Sequence, residues 1–324
     1  PYDFAGGSWY TENSSVAELE RDFRSLRNKL LDIDADRYRD ITLEMMESDF
    51  QSLYRDADTW EMGAYGAAYR FRSAIRGLRH GICGEWGAPE FEGIGAVNIY
   101  GDIPTHTVLG SALTGHGFVR IVMAHMEGGF GYVLPVDRTG TSGGVEALMA
   151  YFPAEDRLLI GVAASEFDEK PPVPDTGWTI PEADLRRESV SVRIPAILIE
   201  DPASGVSIRS TALTSNTAVY RYLRDKLASW GLLSDSMTEA PQAVGGWYQM
   251  MGGKGRSTRR EDAEVNARIN EAYDHVDAAL IDTVHAMNRD LLMLEDDTDS
   301  AFVRNGASYR LNVTVEFPGM HVFE

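Results

Sequence analysis

The chain has 324 residues, 44% of them hydrophobic, and carries 50 acidic against 30 basic side chains, for a formal charge of −20. That apolar content is enough for a buried core and excludes global disorder, while the acid excess excludes a dedicated nucleic-acid binder, which needs clustered Lys and Arg on phosphates. A single cysteine, Cys83, excludes an intrachain disulfide and a Cys-rich zinc module, and no apolar run approaches the ~20 residues that span a bilayer.

Residues 1–15 read as an irregular arm, and their start has neither a charged nor an apolar leader region, so no signal peptide is expected. Ser15-Val16-Ala17-Glu18 fits a capping box, and Val16, Leu19, Phe23, Leu26, Leu30 and Ile33 follow at helical spacing. Asp34 or Asp36 is placed to cap a second helix, whose stripe is Leu43, Met46, Phe50, Leu53, Ala57 and Trp60. A third helix carries Ala64, Ala68, Phe71, Ile75 and Leu78 and stops near Gly81. Three narrow stripes with short links predict a helical hairpin or bundle over 1–80.

Residues 81–212 change to a β-rich pattern with three predicted hairpins. The first joins 118–124 to 130–136 around Gly128-Gly129, the second joins 145–152 to 157–164, and the third joins 190–200 to 206–211. The first four of these strands are apolar on both faces, which predicts cover on both sides. Val190, Val192 and Ile194 alternate with Ser191 and Arg193, so the next strand begins half exposed. Between them, 168–184 contains Pro171, Pro172, Pro174 and Pro181 and reads as an extended surface loop.

Residues 213–324 return to helix. A first helix falls within 213–233, with Val219, Tyr222, Leu223, Leu227 and Trp230 on its apolar side. A Gly-rich loop at 234–257 precedes a long helix over 258–294, which an acidic run at 295–299 ends. In the last strand Tyr309, Leu311, Val313, Val315 and Phe317 alternate with Arg310, Asn312, Thr314 and Glu316, so its partners must lie far back in the sequence. The whole predicts an α+β fold: an N-terminal helical region, a central antiparallel hairpin-rich region, a long C-terminal helix and a final strand returning to the sheet.

Candidate chemistry is sparse. His106, His116, His125 and Glu127 form a candidate metal or acid–base group, because a strand would present His125 and Glu127 on one face, although their spacing matches no metal signature. On the long helix, Glu271 with His275 and Asp282 with His285 have the spacing of metal ligands or of ordinary surface pairs. The segment 252–257 fails the phosphate-loop pattern at Tyr248 and Gly255. Lys254, Arg256, Arg259 and Arg260 therefore read as a basic contact loop seeking carboxylates, Glu295 to Asp299 of a neighbouring subunit among them. Arg72, Arg76 and Arg79 share a helix face and are candidate assembly contacts, or partners of Glu44, Glu47 and Asp49. The 295–299 run lacks the Gly and Glu of a calcium loop and supports weak divalent-cation binding at most. No catalytic residue and no cofactor is expected.

With no catalytic motif, the arm, stripes, loops and terminal strand point to a structural subunit of a large homo-oligomeric assembly, a virion capsid or tail protein, found in the virion or the cytoplasm. Its partners would be copies of itself and other assembly subunits, with no dedicated nucleic-acid binding and no membrane span. Two alternatives stand beside it: a metal-dependent hydrolase using the His/Glu group, and a virion-surface receptor or glycan-binding module working through Trp86, Trp178 and Trp247. Only four lysines (Lys29, Lys170, Lys226 and Lys254) accompany the acid excess. That bias fits a halophile or its virus, and equally a GC-rich genome.

Overall fold

The computed structural model describes residues 4–10, 16–39, 42–49, 64–79, 82–85, 113, 115–140, 144–165, 186–196, 205–214, 216–231, 271 and 274–324. The N-terminal part runs β1 (Phe4–Tyr10), α1 (Val16–Ile33), α2 (Ala35–Tyr38), β2 (Thr42–Asp49), α3 (Ala64–Arg79) and β3 (Ile82–Glu85). β2 lies between β1 and β3, and both pairings are parallel. Parallel neighbours need crossover connections, and the stretches holding α1 and α3 supply them. The helical bundle expected over 1–80 is therefore corrected to a βαβαβ arrangement. The arm contains a strand, and residues 42–49 of the expected second helix form another. Short apolar stretches satisfy both the helical and the strand period, and strand partners on both sides decide between them. The Asp34 cap is present: Oδ1 accepts from the Arg37 amide at 3.0 Å, but the helix it opens is the single turn α2.

The rest of the chain runs α4 (Gly115–Met126), β4 (Phe130–Leu134), β5 (Val136–Arg138), β6 (Gly144–Phe152), β7 (Arg157–Ser165), β8 (Arg186–Pro195), β9 (Arg209–Thr214), α5 (Ala218–Ser229), α6 (Ala278–Leu292), β10 (Glu295–Asp296), β11 (Ala301–Asn305), β12 (Ser308–Phe317) and β13 (Gly319–Phe323). These strands make two antiparallel sheets, β10-β9-β13-β7-β6-β4 and β11-β12-β8-β5. The larger sheet is a middle layer. On one face Leu148, Ala150, Leu159 and Ala163 join a core with Phe71, Ile75, Phe118, Leu223 and Val284 of the helices. On the other, Ala147, Met149, Ile160 and Val162 pack against Val190, Val192, Val313 and Val315 of the smaller sheet. This three-layer stack explains why β6 and β7 are apolar on both faces and β8 on one. Each large apolar side chain so buried contributes ~1.5–3 kcal/mol. One charge also faces inward on β8: Glu188 accepts from Arg138 Nε at 3.0 Å and Nη2 at 3.1 Å and from the Gly140 amide at 2.8 Å. Burial opposes its ionisation, but these bonds outweigh burial and hold its pKa below the usual carboxylate range.

The β6–β7 hairpin forms as expected, in register from Gly144 opposite Ser165 to Phe152 opposite Arg157. Two other hairpins are corrected. Residues 118–124 lie inside α4, where Phe118, Val119, Val122 and Met126 fall at three- and four-residue spacing and are buried. β8 and β9 are not paired, because β8 joins β12 and β5 in one sheet while β9 joins β13 and β10 in the other. The chain passes between sheets at Pro135, which follows β4 and precedes β5, and whose carbonyl accepts from the Arg193 amide at 2.9 Å. β12 does pair far back in sequence, along all of β8 from Ser308 opposite Pro195 to Phe317 opposite Arg186. β13, which the pattern did not reveal, inserts between β7 and β9. Regions 81–212 and 213–324 thus share both sheets. α6 starts at its cap Asp277, whose Oδ1 accepts from the Leu280 amide at 2.8 Å. The start of the expected long helix, at 258–270, and the whole Pro-rich segment 168–184 lie outside the described residues. Among the described residues no helix is long and apolar enough to cross a membrane.

Candidate binding groove

Of the arginines expected to face a partner, Arg72 and Arg76 turn inward and Arg79 stays exposed. Arg72 is fully buried; its Nη1 donates to Ser165 Oγ at 2.5 Å, and its Nε lies 3.9 Å from Glu146 Oε2. Arg76 is paired with both Glu20 of α1 and Glu146 of β6, and Arg79 Nη1 reaches Glu146 at 3.5 Å. Burial works against the charge of Arg76, but the two carboxylates outweigh it and raise its pKa. This cluster ties α1 and α3 to the central sheet, so Arg72 and Arg76, expected as assembly contacts, are taken up inside the fold. A buried ion cluster fixes geometry more than it adds stability.

The strand expected to carry His125 and Glu127 is also corrected. His125 lies in the last turn of α4 and Glu127 in the turn that follows, both exposed, so they do not alternate on a strand. His116 lies in the first turn of the same helix, and His106 is outside the described residues. Among the described residues no group of three or more His, Cys, Asp or Glu side chains is placed to hold a metal. His275 instead stacks on Trp230, with ring centroids 4.7 Å apart. Lys254, Arg256, Arg259 and Arg260, and the three loop tryptophans Trp86, Trp178 and Trp247, lie outside the described residues.

The structure assembles a different feature, an open polar groove of about 680 Å³ where β9, β10, β12, β13 and the start of α5 meet. Its parts follow from local sequence. The alternation of β12 sends Thr314 outward, exposed to solvent, and puts Glu316 on the same face. The chain then reverses at Pro318, and β13 tucks His321 beneath Glu316. β9 ends at Thr214, whose amide donates to Thr217 Oγ1 at 2.8 Å and whose Oγ1 accepts from the Asn216 amide at 3.2 Å, launching α5. On the opposite wall Asp297 folds its own turn. Its Oδ1 accepts from the Asp299 and Ser300 amides at 2.9 Å each, and its Oδ2 from Ser300 Oγ at 2.8 Å.

The charged groups are held in place before any ligand arrives. Glu316 Oε1 accepts from Arg187 Nε at 2.9 Å and Nη2 at 2.5 Å, and Asn216 Nδ2 lies 3.5 Å from Oε2. Burial disfavours the Glu316 anion, yet the bonds from Arg187 and Thr214 hold its pKa below the usual range. Asp297 behaves alike: burial is outweighed by hydrogen bonds from Ser300 and Ser210. His321 is buried, its Nε2 accepts from the Glu316 amide at 2.9 Å, and burial pushes its pKa down to about 4. Ionised carboxylates and a neutral imidazole are fixed hydrogen-bonding groups at neutral pH, whereas a general acid or base there needs a pKa near the working pH. Glu295, Asp296, Asp297, Asp299 and Glu316 outnumber Arg187 and Arg221 along the walls, so the groove repels anions. The groove draws on stretches separated by more than a hundred residues, and the acidic run at 295–299 was its one visible trace in the sequence.

No known protein-family model matches this chain, and no curated protein matches it. Among solved structures, the chain is similar to the crystal structure of the GH39 enzyme from Xanthomonas axonopodis pv. citri. The identity is 12% and the TM-score 0.48, over 100% of this chain and 54% of that one, so the chain spans about half the length of that structure.

Proposed function

We propose that the chain is a recognition module whose groove binds a neutral, polyhydroxylated ligand, a glycan. The supporting observation is the pre-bonded lining. Glu316 and Asp297 are ionised and fixed by their own partners, while Asn216, Asp296 and Asp299 stand exposed at the rim. Carboxylates accept from sugar hydroxyls, and the Asn216 amide both donates and accepts. A lining fixed in advance lowers the ordering cost of binding. The surplus of carboxylates disfavours uronic or sulfated sugars. A glycan array followed by calorimetry tests this reading. Neutral glycans should be retained in preference to acidic ones, and Asn216→Ala and Asp299→Ala should each weaken binding about tenfold, the loss of one good contact. An array on which no neutral glycan binds, or binding indifferent to both substitutions, overturns it.

A second reading, a subunit of a homo-oligomeric assembly such as a virion shell or tail, draws on a separate observation. Among the described residues β4 and β11 are edge strands and carry the exposed apolar side chains Phe130 and Val303, and sheet edges pair readily with other chains. Native mass measured at low and high salt separates the readings: a high-order oligomer supports the subunit, and a stable monomer at micromolar concentration removes it.

A further inference from the structure

We propose that the groove is one end of a longer site, and that the outer face of the four-stranded sheet holds the rest of a linear, neutral glycan chain. This inference rests on the groove reading and extends it from a sugar to a polymer. The register of β12 on β8 sets the face. Glu316 stands opposite Arg187, Thr314 opposite Ser189, Asn312 opposite Ser191, and Arg310 opposite Arg193. The residues between them, Leu311, Val313, Val315, Val190 and Val192, are buried against the central sheet, so the four pairs point the other way. Ser189, Asn312 and Thr314 are exposed.

Three properties of this face argue for a glycan chain. The first is continuity, because Arg187, Thr314 and Glu316 belong both to the face and to the groove wall. A ligand leaving the groove along β12 meets the Ser189–Thr314 step and then the Ser191–Asn312 step. The second is charge. At the far end Arg193 and Arg310 lie directly opposite each other, a repulsive pairing, but Asp137 is 3.3 Å from the first and 3.2 Å from the second. With Arg187 paired to Glu316 at the near end, both ends are compensated. In a chain with 50 carboxylates the four central positions carry none, and Asp137, which flanks Ser191 from β5, is taken up by the two arginines. The third is shape. Those positions hold only short hydroxyl and amide side chains, a strip of donors and acceptors, and the exposed apolar Val303 of β11 stands beyond them, beside Arg310. From Glu316 to Arg310 the strand advances six steps of ~3.4 Å, about 20 Å, longer than a disaccharide requires.

Calorimetry on the full chain with a disaccharide and a hexasaccharide of the cello and manno series tests the inference. The hexasaccharide should bind about tenfold more tightly or better, and the exposed double substitution Ser189→Ala with Asn312→Ala should erase that gain while leaving the disaccharide unchanged. Equal affinity for the two lengths, or a substitution that weakens both equally, overturns the extended site while leaving the groove reading intact. Failure of both lengths to bind overturns the groove reading and this inference together. A concentration-dependent dimer abolished by Asn312→Arg overturns the inference too, because the occupant of the face would then be a second copy of the chain.

Discussion

His321 Nε2 lies 2.9 Å from the Glu316 amide and 3.5 Å from the Glu316 carbonyl. This nitrogen can accept from the Glu316 amide only while unprotonated, and burial of the ring disfavours a charge there. Around it the charged and titratable groups are Glu316, which favours the imidazolium, and Arg187, which opposes it, and burial outweighs both so that the pKa falls to about 4. In the unfolded chain the ring regains a pKa of ~6.5. Between these values the unfolded state binds a proton that the folded state refuses. Stability is therefore full above ~6.5 and is lost as the pH falls toward about 4. The loss from neutral pH to pH 5 should be about 2 kcal/mol. His321→Gln keeps an acceptor without a titrating group, so urea unfolding at the two pH values should show a smaller loss for the variant. An equal loss in both proteins would assign acid sensitivity to other groups. Nothing in the sequence marks His321, because its partner is a backbone amide five residues away and its burial comes from strands paired across the fold.

At the scale of elements, what could be read depended on whether one periodicity was unambiguous. β12 alternates over nearly its whole length and was found with its inward side correctly chosen. β6 and β7 were found as a hairpin, and their two-sided apolar character foretold the layers that cover them. Residues 118–124 were misread because a seven-residue stretch with the single charge of Arg120 suits either period, and packing among helices decided for α4. The third hairpin was misread because adjacency in sequence was taken for adjacency in a sheet, whereas β8 and β9 end in different layers. The meeting of elements across layers also yields a prediction. At Gly161, in the middle of β7, an added methyl would fall 2.9 Å from Phe71 Cε1 of α3 and 3.0 Å from Met320 Cε of β13, with a second Phe71 ring carbon nearer still. Both neighbours are fully buried. Gly161→Ala should therefore destabilise by ~1–3 kcal/mol through overpacking, read as a lower urea midpoint at unchanged slope. Because Phe71 is held in the core, Phe71→Leu in the same background should recover part of the loss. A neutral Gly161→Ala would show that α3 can lift from the sheet.

For the whole molecule the governing quantity is the charge of −20, and its effect on stability has two opposing parts. Surface pairs such as Arg187–Glu316, Arg193–Asp137 and Arg157–Glu155 weaken as salt rises, each from a worth of only ~0–1 kcal/mol. The excess carboxylates have no cation to pair with, and their mutual repulsion is relieved as the screening length shrinks from ~8 Å at physiological ionic strength to ~3 Å at 1 M. Repulsion among unmatched charges grows with the square of the net charge, whereas the pairs add one by one, so relief should win and the Tm should rise with sodium chloride. The buried Arg72–Glu146 cluster is out of reach of ions and should contribute nothing to that slope. Chloride is the proper probe, because sulfate strengthens burial by exclusion whatever the charge. The same titration bears on the ligand. A neutral glycan meets the groove through hydrogen bonds, and its affinity should change little between low and high salt. A cationic peptide drawn by the carboxylates would lose affinity steeply, so a flat glycan isotherm together with a rising Tm would assign the acidity to solvation of the surface and not to recognition. A Tm that falls with sodium chloride would reverse that assignment, placing the surface ion pairs above the repulsion as the dominant electrostatic term in this fold.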